Sequence, residues 1–239
     1  MRNSAATNQK VGILEFPRAI YIVALVAVGA VLPCVGAQLD LPALTMRADS
    51  GDPEALNTLG NAYANGQGVA QDYATALRYY GLAAARGFAP AEFNMGMMAE
   101  LGHGQAPDLA VAFKFYLKAA QQGFAPAQFN VGNMYANGIG VVRDYFEAAL
   151  WFRQAADRGV PESQYNLALA YELGRGVAKD EEQAQKWYRL AADSGYARAR
   201  YNLALMLEEG RGSPVDEVEA AKLYRAAAEQ GFGPAQNNY

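Results

Sequence analysis

The chain has 239 residues, of which 52% are hydrophobic and 18% charged, and its formal net charge is −4. This composition is that of a folded protein and excludes a wholly disordered chain. The mildly acidic balance offers no basic footprint for a polyanion, so the sequence predicts no nucleic-acid partner.

The amino-terminal stretch differs in character from the rest. Three basic residues precede a 14-residue apolar run at 19–32, AIYIVALVAVGAVL. A membrane-spanning helix needs about 20 apolar residues, whereas this shorter run is typical of a signal-peptide core. Residues 1–37 are therefore predicted to be a signal peptide that is cleaved before Gln38. The protein is then expected in the periplasm or secreted. The alternative is that the segment stays uncleaved and anchors the protein in the membrane.

The only cysteine, Cys34, lies inside this leader. A cysteine after an apolar run raises the possibility of a lipoprotein. Pro33 before it fits poorly with the small residue that lipid attachment requires. The mature chain is therefore expected to have neither a disulfide nor thiol chemistry.

A short capping helix is expected within residues 38–50. Asp40 and Pro42 are typical helix-start residues there, an aspartate cap and a proline in the first turn.

From Gly51 onward the sequence repeats every 36 residues without a gap, and positions within a repeat are numbered here from 1 to 36. The repeats of the domain 51–239 are 51–86, 87–122, 123–158, 159–194, 195–230 and a partial sixth, 231–239. A fixed period of this length indicates an array in which each repeat is one supersecondary element.

Each repeat reads as two helices joined by a glycine-containing loop. Positions 5–15 carry apolar residues with helical spacing, and glycines follow at positions 16 and 18. The first glycine is expected to end the helix in the left-handed conformation, and the second to allow a tight return. Position 22 is an aspartate throughout, which predicts the cap of a second helix: Asp72, Asp108, Asp144, Asp180 and Asp216. An acid or amide three residues later, as at Glu147, resembles a capping box.

The second helix alternates small and large residues. Alanine occupies positions 26, 33 and 34 of every repeat, and bulky residues occupy positions 29 and 30. Alanine lets helix backbones approach closely, while the bulky pair fills the space between helices. No segment alternates with period two over the length of a strand, so the predicted fold is all-α.

The third repeat reads AQFNVGNMYANGIGVVRDYFEAALWFRQAADRG from position 5 and resembles the Sel-one-like repeat (SLR) family, a relative of the tetratricopeptide repeat. The resemblance extends over residues 51–230. It implies a right-handed α/α superhelix (solenoid) of five helix pairs, with first helices lining a concave surface. It also implies scaffold, adaptor or regulatory roles through a protein or peptide partner.

One side of the first helices is the candidate binding surface, since positions 4, 7, 11 and 14 lie opposite the expected core. Aromatic, aliphatic and polar side chains mix there, as suits a bound peptide or partner helix. The predicted partner-binding residues are Asn61, Phe93, Met97, Phe129, Asn133, Tyr165, Leu169, Tyr201 and Leu205. The alternative for the position-7 aromatics is packing between neighbouring first helices. Their role predicts that replacing Phe129, Tyr165 and Leu169 together abolishes partner capture and preserves helicity.

The residues give no catalytic set, and no catalytic, cofactor-binding or metal site is predicted. His103 is the only histidine, and its place between two loop glycines predicts a solvated residue. The asparagines at position 8 are expected to bond backbone groups between repeats. The resemblance implies one enzymatic alternative, because cysteine-rich members of the family are credited with β-lactam hydrolysis or binding. This chain lacks their cysteine pairs.

The partial sixth repeat, GFGPAQNNY, supplies only a helical stub after the fifth repeat. The stub is expected to cap the array, to pair with a partner, or to mark a truncation.

Overall fold

The computed structural model describes residues 39–236. The predicted signal peptide with its cleavage site and Cys34, and the last three residues of the stub, lie outside that range. Within it the chain forms helices and no strands. The twelve helices are α1 Leu41–Asp49, α2 Pro53–Asn65, α3 Tyr73–Ala84, α4 Ala89–Leu101, α5 Leu109–Gln121, α6 Ala125–Asn137, α7 Tyr145–Ala156, α8 Pro161–Leu173, α9 Glu181–Asp193, α10 Ala197–Glu209, α11 Glu217–Glu229 and α12 Gly233–Gln236.

Helices α2 to α11 are five consecutive helix pairs, and this confirms the predicted all-α solenoid class. The described chain divides into two compact bodies. The N-terminal body contains residues 39–124 and 137–142, and the C-terminal body contains residues 125–136 and 143–236. Within each body, helices that are consecutive in sequence pack against one another, from α1 to α5 in the first and from α7 to α12 in the second. No helix among residues 39–236 is both long enough and apolar enough to cross a bilayer.

The second helix of each repeat begins at its predicted aspartate cap. The Asp144 carboxylate accepts hydrogen bonds from the backbone N–H groups of Phe146 (2.9 Å) and Glu147 (3.1 Å) at the start of α7. Equivalent caps are made by Asp72, Asp108, Asp180 and Asp216. The reciprocal half of a capping box is absent at Asp144, because its own N–H donates to the Tyr135 carbonyl at 2.9 Å. This bond fastens the start of α7 to the end of α6, and it recurs at the four other aspartates.

The first loop glycine ends the first helix as predicted. Gly174 has φ +65° and its N–H donates to the Ala170 carbonyl at the end of α8. The second loop glycine does more than allow a tight return. A Cβ on Gly176, where φ is +74°, would lie 1.9 Å from the carbonyl oxygen of Tyr145. Only glycine therefore lets the loop of the fourth repeat rest on the start of α7 in the third.

The core of each repeat is a large ring seated against small residues. Tyr116 on α5 is fully buried and lies against Gly96 on α4. A Cβ on Gly96 would come within 2.7 Å of that ring, so the glycine permits the two helices to approach closely.

Candidate functional site

The nine residues predicted to bind a partner all lie on first helices. Asn61 is on α2, and Phe93 and Met97 are on α4. In the C-terminal body, Phe129 and Asn133 are on α6, Tyr165 and Leu169 on α8, and Tyr201 and Leu205 on α10. Six of them are at most 7% exposed in the unbound chain, and only Asn61, Tyr201 and Leu205 are half-buried.

Two other rings lie against each of three position-7 rings, and the centroid of the fourth, Phe129, is 6.5 Å from that of Phe152. Tyr165 lies 5.5 Å from Tyr188 on the second helix of its own repeat, and 5.4 Å edge-on from Tyr196 at position 2 of the next repeat. Phe93 has the same relation to Tyr116 and Phe124, and Tyr201 to Tyr224 and Phe232. Each such ring pair contributes about 0.5–1.5 kcal/mol beyond the area it buries. Packing is thus an observed role of these aromatics, and partner contact remains a prediction for them.

The glutamates at position 14 are partners of the buried phenols. The Tyr188 hydroxyl donates to Glu172 Oε2 at 2.7 Å, and Tyr116 donates to Glu100 Oε2 at 2.6 Å. Tyr224 and Glu208 form the same pair at 2.7 Å. Burial raises the pKa of both Glu100 and Tyr188.

The two remaining repeats have alanine at position 14 and do not form this pair. The third repeat has Phe152 at position 30, without a hydroxyl, and Ala136 at position 14. In the first repeat position 14 is Ala64, and the Tyr80 hydroxyl donates instead to Asn61 Oδ1 at 2.8 Å. Where position 14 is a glutamate, it therefore accepts a hydrogen bond from the phenol at position 30, on the second helix of its own repeat.

The asparagines at position 8 bond side chains rather than the backbone groups expected from the sequence. Asn94 Nδ2 donates to Asn57 Oδ1 at 2.8 Å and to Asn61 Oδ1 at 3.2 Å. Asn166 Nδ2 donates to Asn133 Oδ1 at 3.1 Å. These bonds join successive first helices within each body.

A charged network joins the fourth and fifth repeats. Arg211 Nη1 lies 2.7 Å from Glu172 Oε1, and Arg211 Nε lies 2.5 Å from Glu209 Oε2. Glu172 thus receives a phenol on one oxygen and a guanidinium on the other, and it is held in place between the two repeats.

The accessible part of the first-helix surface is clearest on α10. Arg198, Tyr201, Asn202 and Leu205 are half-buried, and Glu208 is exposed. Their spacing places them on one stripe of the helix. Sequence reasoning singled out Tyr201 and Leu205 but not Arg198. The signal for Arg198 was the variation at position 4, which reads Glu54, Pro90, Pro126, Glu162 and Arg198 through the five repeats.

His103 is not the solvated loop residue that its glycine neighbours suggested. Its ring is half-buried and stacks on Tyr73 of the first repeat, with centroids 4.3 Å apart. Arg175, at the same position of the fourth repeat, lies 5.3 Å from the ring of Tyr145. Each of these two side chains therefore packs on the second helix of the preceding repeat, whereas Arg211 at the same position pairs with Glu172 on a first helix. Residues 39–236 contain no group of three or more His, Cys, Asp or Glu side chains able to hold a metal ion.

Comparison with known proteins places these repeats in a family. The sequence profile described as the Sel1 repeat matches residues 53–88, 89–124, 125–160, 161–196 and 197–232. These segments start two residues later than the repeats defined above. Among curated proteins, no sequence matches significantly.

Two solved structures resemble this chain in both sequence and fold. A protective antigen of uropathogenic Escherichia coli strains, c5321, which displays an SLR fold, shares 37% identity over 81% of this chain, with a TM-score of 0.78. A Sel1 repeat protein from Oxalobacter formigenes shares 34% identity over 81% of this chain, with a TM-score of 0.74. The match covers 41% of the Escherichia coli protein and 78% of the Oxalobacter protein.

Proposed function

Because the chain belongs to the Sel1 repeat family, we propose that it is an exported scaffold that binds a protein partner through its first helices. Sel1 repeat proteins generally mediate protein–protein interaction, and the family is typically non-enzymatic. The surface assigned here, called the first-helix face, is the accessible stripe of α10 formed by Arg198, Tyr201, Asn202, Leu205 and Glu208.

One observation carries the proposal. The residues that recur in every repeat cap helices, form the loops or pack in the core. The accessible first-helix positions, in contrast, differ between repeats. Position 4, for example, is the exposed Glu54 in the first repeat and the half-buried Arg198 in the fifth. Packing does not require such variation at constant backbone spacing, but recognition of one particular partner does.

The spacing on α10 also suits a protein ligand. Arg198, Tyr201 and Leu205 follow one another at three- and four-residue intervals and combine a cation, a ring and an aliphatic side chain. Tyrosine and arginine are the side chains that most often dominate protein interfaces.

We expect the double variant Arg198→Glu/Leu205→Asn to lose a partner that the unmodified protein retains during affinity purification from the native envelope. The fold tolerates both new residues elsewhere, because position 4 is Glu54 or Glu162 and position 11 is Asn61 or Asn133 in other repeats. Loss of the apolar contact and reversal of the charge should weaken binding at least tenfold. The measurement is quantitative mass spectrometry of the co-purified proteins.

The matched control is Lys186→Glu on α9, an exposed charge reversal on a second helix. It should leave the co-purified set unchanged. Undiminished recovery of every partner by the α10 double variant would show that the first-helix face is wrongly assigned.

We propose that export depends on residues 1–37. The support is the basic residues, the 14-residue apolar run and the small residues that follow it. Intact-mass spectrometry of protein purified from the envelope fraction should give a mature chain beginning at Gln38. A mass that retains the leader would contradict cleavage and favour an uncleaved anchor.

A further inference from the structure

The second helices of the first two repeats carry cations without acids. Lys114 and Lys118 lie on α5, Arg78 lies on α3, and Arg86 follows the end of α3. Neither α3 nor α5 contains an aspartate or a glutamate, whereas α9 contains three. In a chain of net charge −4, this is a local inversion of charge. All four cations are exposed.

These cations are not neutralised by neighbouring carboxylates. Among residues 39–236, no carboxylate lies within 4.0 Å of any of the four, whereas Arg47, Lys179, Arg211 and Lys222 do form ion pairs. Glu92 acts on Lys118 electrostatically, but Glu92 is buried and already accepts a hydrogen bond from Gln122 at 2.5 Å.

Their closest partners are neutral groups. Arg86 Nη1 donates to the Leu82 carbonyl at 2.8 Å. The Arg78 guanidinium lies 5.0 Å from the centroid of the Tyr79 ring, and the Lys118 ammonium lies 5.7 Å from that of Phe115. The four positive charges therefore remain available to an anionic ligand.

Two grooves lie beside the cations, one mainly apolar and one mixed. On α5, Val111, Phe115 and Leu117 line one groove together with Lys114 and Lys118. A second groove contains Leu56, Tyr79 and Leu82 between Arg78 and Arg86, with Asp49 at its rim. Leu82 is 43% exposed and so is accessible to a ligand in this groove.

We propose that the exposed surface of α3 and α5, called the basic second-helix surface, binds an acidic amphipathic helix of a protein partner. Lys114 and Lys118 are one helical turn apart, as are successive glutamates on one face of a helix. Arg78 and Lys114 occupy the same position of consecutive repeats and so extend the positive stripe across both. The leucines of such a helix fit against the apolar side chains that line the two grooves. A nucleic acid binds mainly through its phosphates and has no side chains to place against them. This surface lies on other helices than the first-helix face.

The experiment uses a synthetic 18-residue helical peptide with glutamate on one face and leucine on the other. We expect the mature chain to bind it by fluorescence anisotropy, and Lys114→Glu/Lys118→Glu to weaken binding at least tenfold. Raising the salt from 50 to 300 mM should also weaken it, since the contact is partly electrostatic. Because the two lysines are exposed, the double variant should stay folded, and circular dichroism checks this.

The matched control is Lys186→Glu/Arg189→Glu on α9, which changes the net charge by the same amount at exposed positions of another second helix. It should shift the affinity less than twofold, and so should Arg198→Glu/Leu205→Asn on the first-helix face. If Lys186→Glu/Arg189→Glu weakens peptide binding as much as Lys114→Glu/Lys118→Glu does, the proposal is overturned. The acidic peptide would then be attracted by the charge of the chain as a whole and not by this surface. Equal binding of a peptide whose leucines are replaced by serine would overturn it as well. So would equally tight binding to anionic phosphatidylglycerol vesicles, which would point to a membrane surface.

Discussion

Replacing Gly176 by alanine is expected to lower the free energy of unfolding by about 2–5 kcal/mol, measured by urea denaturation followed by circular dichroism at 222 nm. Two costs add. A non-glycine residue at φ +74° costs about 1–2 kcal/mol. The new Cβ would also lie 1.9 Å from the Tyr145 carbonyl oxygen and 2.7 Å from the Phe146 nitrogen, so the loop has to move off α7. Overpacking of this kind typically costs about 1–3 kcal/mol more.

Gly159→Ala in the same body separates the two costs. Gly159 has φ +83°, but a Cβ there would meet no atom within 4 Å. This variant should pay only the backbone cost of about 1–2 kcal/mol. Equal destabilisation by both alanines would mean that the contact between the third and fourth repeats does not depend on Gly176.

The second large effect is expected at Tyr165. Its ring is 2% exposed and lies between Tyr188 and Tyr196, so Tyr165→Ala should cost about 3–5 kcal/mol in the free energy of unfolding. Tyr165→Phe keeps the ring but loses the hydrogen bond between the Tyr165 hydroxyl and the Asn202 side chain, so it should cost about 0.5–1.5 kcal/mol. The measurement is the same urea titration, with the slope compared between variants to detect partial unfolding.

Tyr201→Ala is the control from the next repeat. Tyr201 has the same ring neighbours in kind, Tyr224 and Phe232, but is half-buried, so a smaller loss of stability is expected. A loss of less than 1 kcal/mol for Tyr165→Ala would show that the ring is not a packing element. The expected instability also bears on the combined substitution of Phe129, Tyr165 and Leu169. Because all three side chains are buried, that variant tests folding before it tests binding.

Comparing the sequence with the structure shows where local reasoning was sufficient. Aspartate caps, helix-ending glycines and the large-and-small pattern of the second helix were all predictable, because each depends on residues a few positions apart. The expectation of a capping box at Asp144 was wrong, and the reason lies outside the few residues that form such a box. The N–H of Asp144 is taken by Tyr135 of the preceding helix. His103 is similar, since its stacking partner Tyr73 is 30 residues earlier in the chain.

The candidate site divides in the same way. Periodicity correctly placed the nine residues on the first helices, but it could not tell an inward from an outward aromatic at position 7. That distinction depends on what neighbouring helices cover: Tyr165 and Tyr201 each lie against two rings, yet Tyr165 is 2% exposed and Tyr201 is half-buried. The pairing of Glu172 with Tyr188 was visible only in the structure, as a phenol hydrogen bond of 2.7 Å. Position 30 is also a tyrosine in the first repeat, where position 14 is Ala64.

By itself, then, the sequence determined that this protein is an all-α array of five helix pairs, where each second helix begins and where each first helix ends. Those features follow from short-range backbone chemistry that is repeated every 36 residues, so they do not depend on contacts between distant parts of the chain. Only the tertiary structure decided which side chains of the first helices stay accessible, because accessibility depends on what neighbouring helices cover. It also decided that the cations of α3 and α5 form no ion pair within residues 39–236 and lie beside two surface grooves, since pairing is set by distances between helices and not by spacing along the chain.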